Sequence, residues 1–79
     1  MPAYEIQVRP AALRALKKIA PADRERLQAA IALLAEDPHP PNSRRLTGRS
    51  AYRVRVGDYR ISYTIDNGQL LIVVVTPGG

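Results

Sequence analysis

Seventy-nine residues make one domain with a thin core, since a chain of this size buries only about 60–65% of its unfolded surface. With no cysteine there is no disulfide and no thiolate metal site, and no apolar run reaches the roughly 18 residues of a membrane span. The formal net charge is +5 and unevenly spread: residues 1–37 carry six basic and five acidic side chains, whereas residues 38–79 carry six arginines against Asp58 and Asp66 alone. A basic excess confined to one half points to a polyanionic partner, although the same charge also keeps a small domain soluble. Nothing at the start reads as a signal peptide, so a soluble, cytoplasmic protein with no membrane association is expected.

Tyr4, Ile6 and Val8 alternate with Glu5, Gln7 and Arg9, the period of a half-buried strand. Pro10 suits the first turn of a helix, and Leu13, Leu16 and Ile19 follow as its apolar stripe. Pro21 restarts the pattern, with Asp23 and Glu25 where a helix dipole favours negative charge. Leu27, Ile31 and Leu34 then repeat at helical spacing until Pro38, Pro40 and Pro41 end the second helix. A loop holding Arg44, Arg45, Gly48 and Arg49 leads back to a period of two. Tyr52, Val54 and Val56 alternate with Arg53 and Arg55; Gly57-Asp58 reads as a two-residue turn; Tyr59, Ile61, Tyr63 and Ile65 alternate with Arg60, Ser62 and Thr64. Asp66-Asn67-Gly68 makes a second turn, and the nearly continuous apolar run 69–75 suggests a strand covered on both faces. The expected architecture is α+β in the order β-α-α-β-β-β, a small antiparallel sheet with both helices on one face, as a single domain over residues 1–79.

If Gly57-Asp58 is the whole turn, Arg55 stands directly across from Arg60 and Arg53 from Ser62. Like charges in that position destabilise a sheet by a few tenths of a kcal/mol or more. Two guanidiniums held together make a phosphate site, because each can donate two parallel hydrogen bonds. The bland alternative is two exposed arginines splayed into solvent. Arg44, Arg45 and Arg49 are either a solvated basic loop or a patch that contacts a nucleic-acid backbone. His39, the one histidine, lies among prolines as a loop residue rather than a general base. No serine–histidine–carboxylate set and no metal-ligand cluster is visible, and no cofactor is implied. Tyr52, Tyr59 and Tyr63 share the core-facing register and read as core aromatics, and Tyr4 reads as a core residue as well.

From the first strand through the helices to LTGRSAYRVRVGDYRISYTIDNGQLLIVVV, the chain resembles the RelE branch of the RelE/ParE toxin superfamily, most specifically in Tyr-Arg-Val-Arg-Val-Gly-Asp-Tyr-Arg-Ile at 52–61. The resemblance implies a toxin of a type II toxin–antitoxin system, held inactive by a cognate RelB-like antitoxin. It implies cleavage of mRNA in the ribosomal A site, with the RNA 2′-hydroxyl attacking the adjacent phosphate. Arg53 and Arg55 then correspond to the two catalytic basic residues before the turn, and Arg60 to the one after it. RelE toxins usually continue with a segment bearing a further arginine and a tyrosine. The stretch Thr76-Pro77-Gly78-Gly79 has no residue matching either, which implies weakened or absent cleavage. The alternatives are a non-catalytic member that acts by binding, as the ParE branch does on DNA gyrase, and a basic RNA-binding module.

Overall fold

In the computed structural model, which describes residues 4–46 and 51–78, two helices cover one face of a five-stranded sheet. Helix α1 (Pro10–Lys17) begins on proline as expected, and α2 (Pro21–Glu36) stops just before Pro38. In α2 the core side is Leu27, Ile31 and Leu34, the stripe legible in the sequence, joined by Ala35. In α1 it is Ala12 and Leu16, followed by Ile19, while Leu13 is 45% exposed. At about 100° per residue, Ala12, Leu16 and Ile19 share a narrow arc that Leu13 leaves. The expected place of Leu13 in the core is thereby corrected.

Arg24 locks the two helices together. Its Nε donates to the Leu16 carbonyl at 3.0 Å, and its Nη2 donates to Lys17 at 3.1 Å and Ile19 at 3.0 Å. All three lie at or just past the end of α1, where the regular helical ladder stops; the Leu16 carbonyl also accepts the Ile19 N–H at 3.2 Å. Arg24→Ala is expected to cost about 1–2 kcal/mol, lowering the melting temperature by about 4–8 °C per kcal/mol. An unchanged melting temperature would show that water satisfies those carbonyls equally well.

The sheet runs β1-β5-β4-β3-β2, from β1 (Glu5–Val8), β2 (Ser43–Arg45), β3 (Ala51–Val56), β4 (Tyr59–Asp66) and β5 (Gln69–Pro77). Strands β2 to β5 pair antiparallel, but β1 lies parallel to β5, with Ile6 opposite Leu70 and Val8 opposite Ile72. The sheet is therefore mixed rather than wholly antiparallel. Arg44 and Arg45, expected in a loop, belong to the edge strand β2. That strand has only three residues, and its backbone pairing with β3 needs no apolar alternation to form.

The core lies between the helices and one sheet face, built from Val54, Ile61, Tyr63, Leu70, Ile72 and Val75 against Leu16, Leu27 and Ile31. Among the described residues the opposite face of the sheet carries no helix, so β5 is not covered on both sides as expected. Its apolar run has another cause. Tyr63 pairs with Ile72 and Ser62 with Val74, which leaves Val73 as the extra residue of a bulge. The bulge shifts the alternation, so Ile72 and Val75 both reach the core while Val74 is 41% exposed. Among the described residues no helix is long and apolar enough to cross a membrane, and no charged side chain is buried.

Tyr63 is fully buried, stacks on Tyr52 at 5.6 Å, and donates its hydroxyl to the Pro38 carbonyl at 2.6 Å. Burial pushes its phenol above the usual tyrosine range, a shift that a Ser43 hydrogen bond opposes and the nearby Tyr52 and Asp37 reinforce. A raised folded-state value gives stability that is complete below the unfolded pKa of about 10 and is lost as pH climbs through the folded one. Tyr63→Phe is expected to lose about 1–2 kcal/mol near neutrality, where Pro38 loses its donor. Its stability should then fall less steeply in alkali than that of the unaltered chain. Urea unfolding at neutral and alkaline pH reads both effects; parallel curves would contradict the assignment.

Candidate nucleic-acid interface

The hairpin closes as its sequence requires. Gly57 sits at φ +58°, a conformation that side chains disfavour, and the turn is Gly57-Asp58 alone. Val56 then pairs with Tyr59, Arg55 with Arg60, Val54 with Ile61 and Arg53 with Ser62. Val54 and Ile61 enter the core, so the arginines stand on the helix-free face. Arg44 joins them because its register partner on β3 is Arg53.

These four arginines and Asn42 line one concave pocket of about 250 Å³. The Asn42 amide donates to the Arg55 carbonyl at 3.0 Å, which ties the loop after α2 to β3 at the pocket rim. Gly78 approaches from the opposite side, its N–H bonded to the Asp58 carbonyl at 2.6 Å. A side-chain carbon at Gly78 would lie 3.0 Å from Arg60 Cγ, so glycine there leaves room for the arginine stem.

Arg53, Arg55 and Arg60 are thus brought together, and Arg44 is added to them. Arg45 is not: it lies opposite Tyr52, on the register that faces the helices. Arg49 lies outside the described residues. Asn42 and the pocket role of Arg44 escape the sequence, because nothing in Pro-Pro-Asn-Ser-Arg-Arg signals a strand. His39 is exposed in the loop between α2 and β2, with Nε2 3.1 Å from the Tyr52 hydroxyl and its ring edge-on to Tyr52. It does not line the pocket. Among the described residues no three His, Cys, Asp or Glu side chains gather where they could hold a metal ion.

Chemically, a pocket lined this way can cradle a phosphate. Guanidiniums donate in a planar fork that matches phosphate oxygens and carry charge at every physiological pH. They can therefore stabilise negative charge developing on a phosphate, but they cannot serve as general bases.

Residues 6–77 match the family described as the ParE toxin of the type II toxin–antitoxin system parDE. The chain belongs to the RelE/ParE superfamily of toxins. None of the curated proteins matches its sequence. Among solved structures, the archaeal RelE–RelB complex of Pyrococcus horikoshii OT3 is similar at 25% identity and a TM-score of 0.88, over 98% of this toxin and 97% of that chain. The intact Escherichia coli RelBE toxin–antitoxin complex matches at 24% identity and 0.81, over 98% and 99%. The RelBE2 complex of Mycobacterium tuberculosis matches at 24% and 0.76, over the same shares. At 24% identity the last two establish the fold and no more. The α+β class and the order of the elements agree with these relatives.

Proposed function

We propose that this toxin is an mRNA endoribonuclease that works on the ribosome in the cytoplasm, with Arg53, Arg55 and Arg60 as its catalytic residues and Arg44 as a further phosphate contact. The observation that carries the reading is the gathering of four guanidiniums in one pocket on the open sheet face. In the reaction the RNA 2′-oxygen forms a bond to the adjacent phosphorus and loses its proton to solvent. The bond from phosphorus to the 5′-oxygen breaks, and that oxygen takes up a proton. Extra negative charge builds on the non-bridging oxygens in between, where the arginines act. The ribosome supplies the alignment of 2′-oxygen, phosphorus and leaving oxygen that so small a domain cannot impose alone.

The antitoxin reading has its own support. Ala30, Leu33 and Leu34 of α2 and Val54 and Val56 of β3 line a groove of about 420 Å³, with Leu33 66% exposed. An amphipathic segment of a RelB-like antitoxin would cover it. A second function, inhibition of DNA gyrase, is favoured by the family description that the sequence matches.

Cleavage of a defined mRNA, assayed with and without ribosomes beside a gyrase supercoiling assay, separates the readings. Ribosome-dependent cleavage with normal supercoiling is the expected result. Lost supercoiling without cleavage would make the chain a gyrase inhibitor, and equal cleavage with or without ribosomes would remove the ribosome from the account.

A further inference from the structure

One row of the open sheet face runs Arg44 on β2, Arg53 on β3, Ser62 on β4 and Val74 on β5, each in register with the next. Its chemistry changes in one direction, from two cations through a hydroxyl to an apolar side chain. Neighbouring strands lie about 4.8 Å apart, so the row spans about 10 Å from Arg53 to Val74, the reach of one nucleotide from phosphate to base. The bulge widens the apolar end from one valine to two. In an unshifted register Ser62 would face Val73 alone and Val74 would point to the core; with the shift, Val73 and Val74 both fall between the core residues Ile72 and Val75. Bulges recur beside functional sites because they re-aim side chains.

We infer that this row is a ribonucleotide subsite: phosphate on Arg44 and Arg53, ribose over Ser62, base face on Val73 and Val74. The inference rests on the phosphate reading of the arginine pocket and extends it to the sugar and base. A serine hydroxyl can donate to or accept from a ribose 2′-hydroxyl, the group that distinguishes RNA from DNA. Valine offers the base only its apolar surface and reads no hydrogen-bonding edge, so the subsite accepts any base. It selects for ribose and for the presence of a base, not for base identity.

The test uses single-stranded oligoribonucleotides and oligodeoxyribonucleotides of one sequence, plus a ribo-oligomer with an abasic residue at successive positions, titrated into the ¹⁵N-labelled chain. The unaltered protein should bind RNA about three- to tenfold more tightly than DNA, as one added hydrogen bond allows, with shifts at Ser62, Val73 and Val74. Ser62→Ala should erase that preference and leave DNA affinity unchanged. One abasic position should weaken binding to the unaltered chain, and Val74→Ser should abolish that sensitivity. Spectra of each variant before titration establish that it is folded. Equal affinity for RNA and DNA, or an abasic penalty that survives Val74→Ser, would overturn the subsite while Arg53→Ala still weakened binding. Binding unaffected by Arg53→Ala, or no binding at all, would overturn the phosphate reading and the subsite with it.

Discussion

Arg60→Ala is expected to slow single-turnover mRNA cleavage on programmed ribosomes by about 10²–10³-fold, the usual loss when one preorganised donor to developing charge is removed. Arg60 is closely held in place, standing opposite Arg55 and flanked by Gly78. Its loss should not weaken the fold. Two like charges directly across a strand pair cost a few tenths of a kcal/mol, so the melting temperature should stay level or rise slightly. Arg60→Lys keeps the charge without the planar fork and should fall between the two. Loss of activity in step with loss of folding would assign Arg60 a structural role instead.

Leu27→Ala is expected to cost about 2–5 kcal/mol, more than the loss of either the Arg24 guanidinium or the Tyr63 hydroxyl. Leu27 is 1% exposed on the core side of α2, away from the arginine face. A 79-residue domain has only about 4–12 kcal/mol in total, so the melting temperature should drop by about 10–30 °C. At low temperature the folded fraction should still cleave at the unaltered rate, because no pocket residue moves. Bound antitoxin should recover much of the loss, as any ligand of the native state does. A fall of only a few degrees, read by calorimetry, would mean that α2 is not locked against the sheet.

The pocket was half legible in the sequence. A two-residue turn and a strict period of two determine which residues face each other, so Arg53, Arg55 and Arg60 could be placed together from Gly57-Asp58 alone. Arg44 could not, because β2 is an edge strand whose three residues pair through backbone and carry no hydrophobic pattern. Asn42 joins the pocket through one hydrogen bond to a backbone carbonyl, which leaves no trace in spacing. The parallel pairing of β1 with β5 joins residues some 64 positions apart, beyond the reach of any local signal. In β5 the unbroken run of apolar residues hid the bulge, since a shift of alternation shows only where polar residues mark the other face. The α1 stripe misled for a related reason: Leu13 is the larger side chain, yet Ala12 has the better angle toward the core.

The most direct test of the central claim is cleavage of an mRNA on programmed ribosomes with a single 2′-deoxy substitution in the nucleotide 5′ to the cut. On the proposed reading the pocket stabilises charge on phosphate, and the attacking oxygen is the RNA's own 2′-oxygen, already placed beside the phosphorus. The unaltered chain should cleave the all-ribose message to leave a 2′,3′-cyclic phosphate and should leave the deoxy-substituted bond intact. Cleavage of the substituted bond at a comparable rate would contradict the account, because the account has no attacking oxygen other than that 2′-hydroxyl.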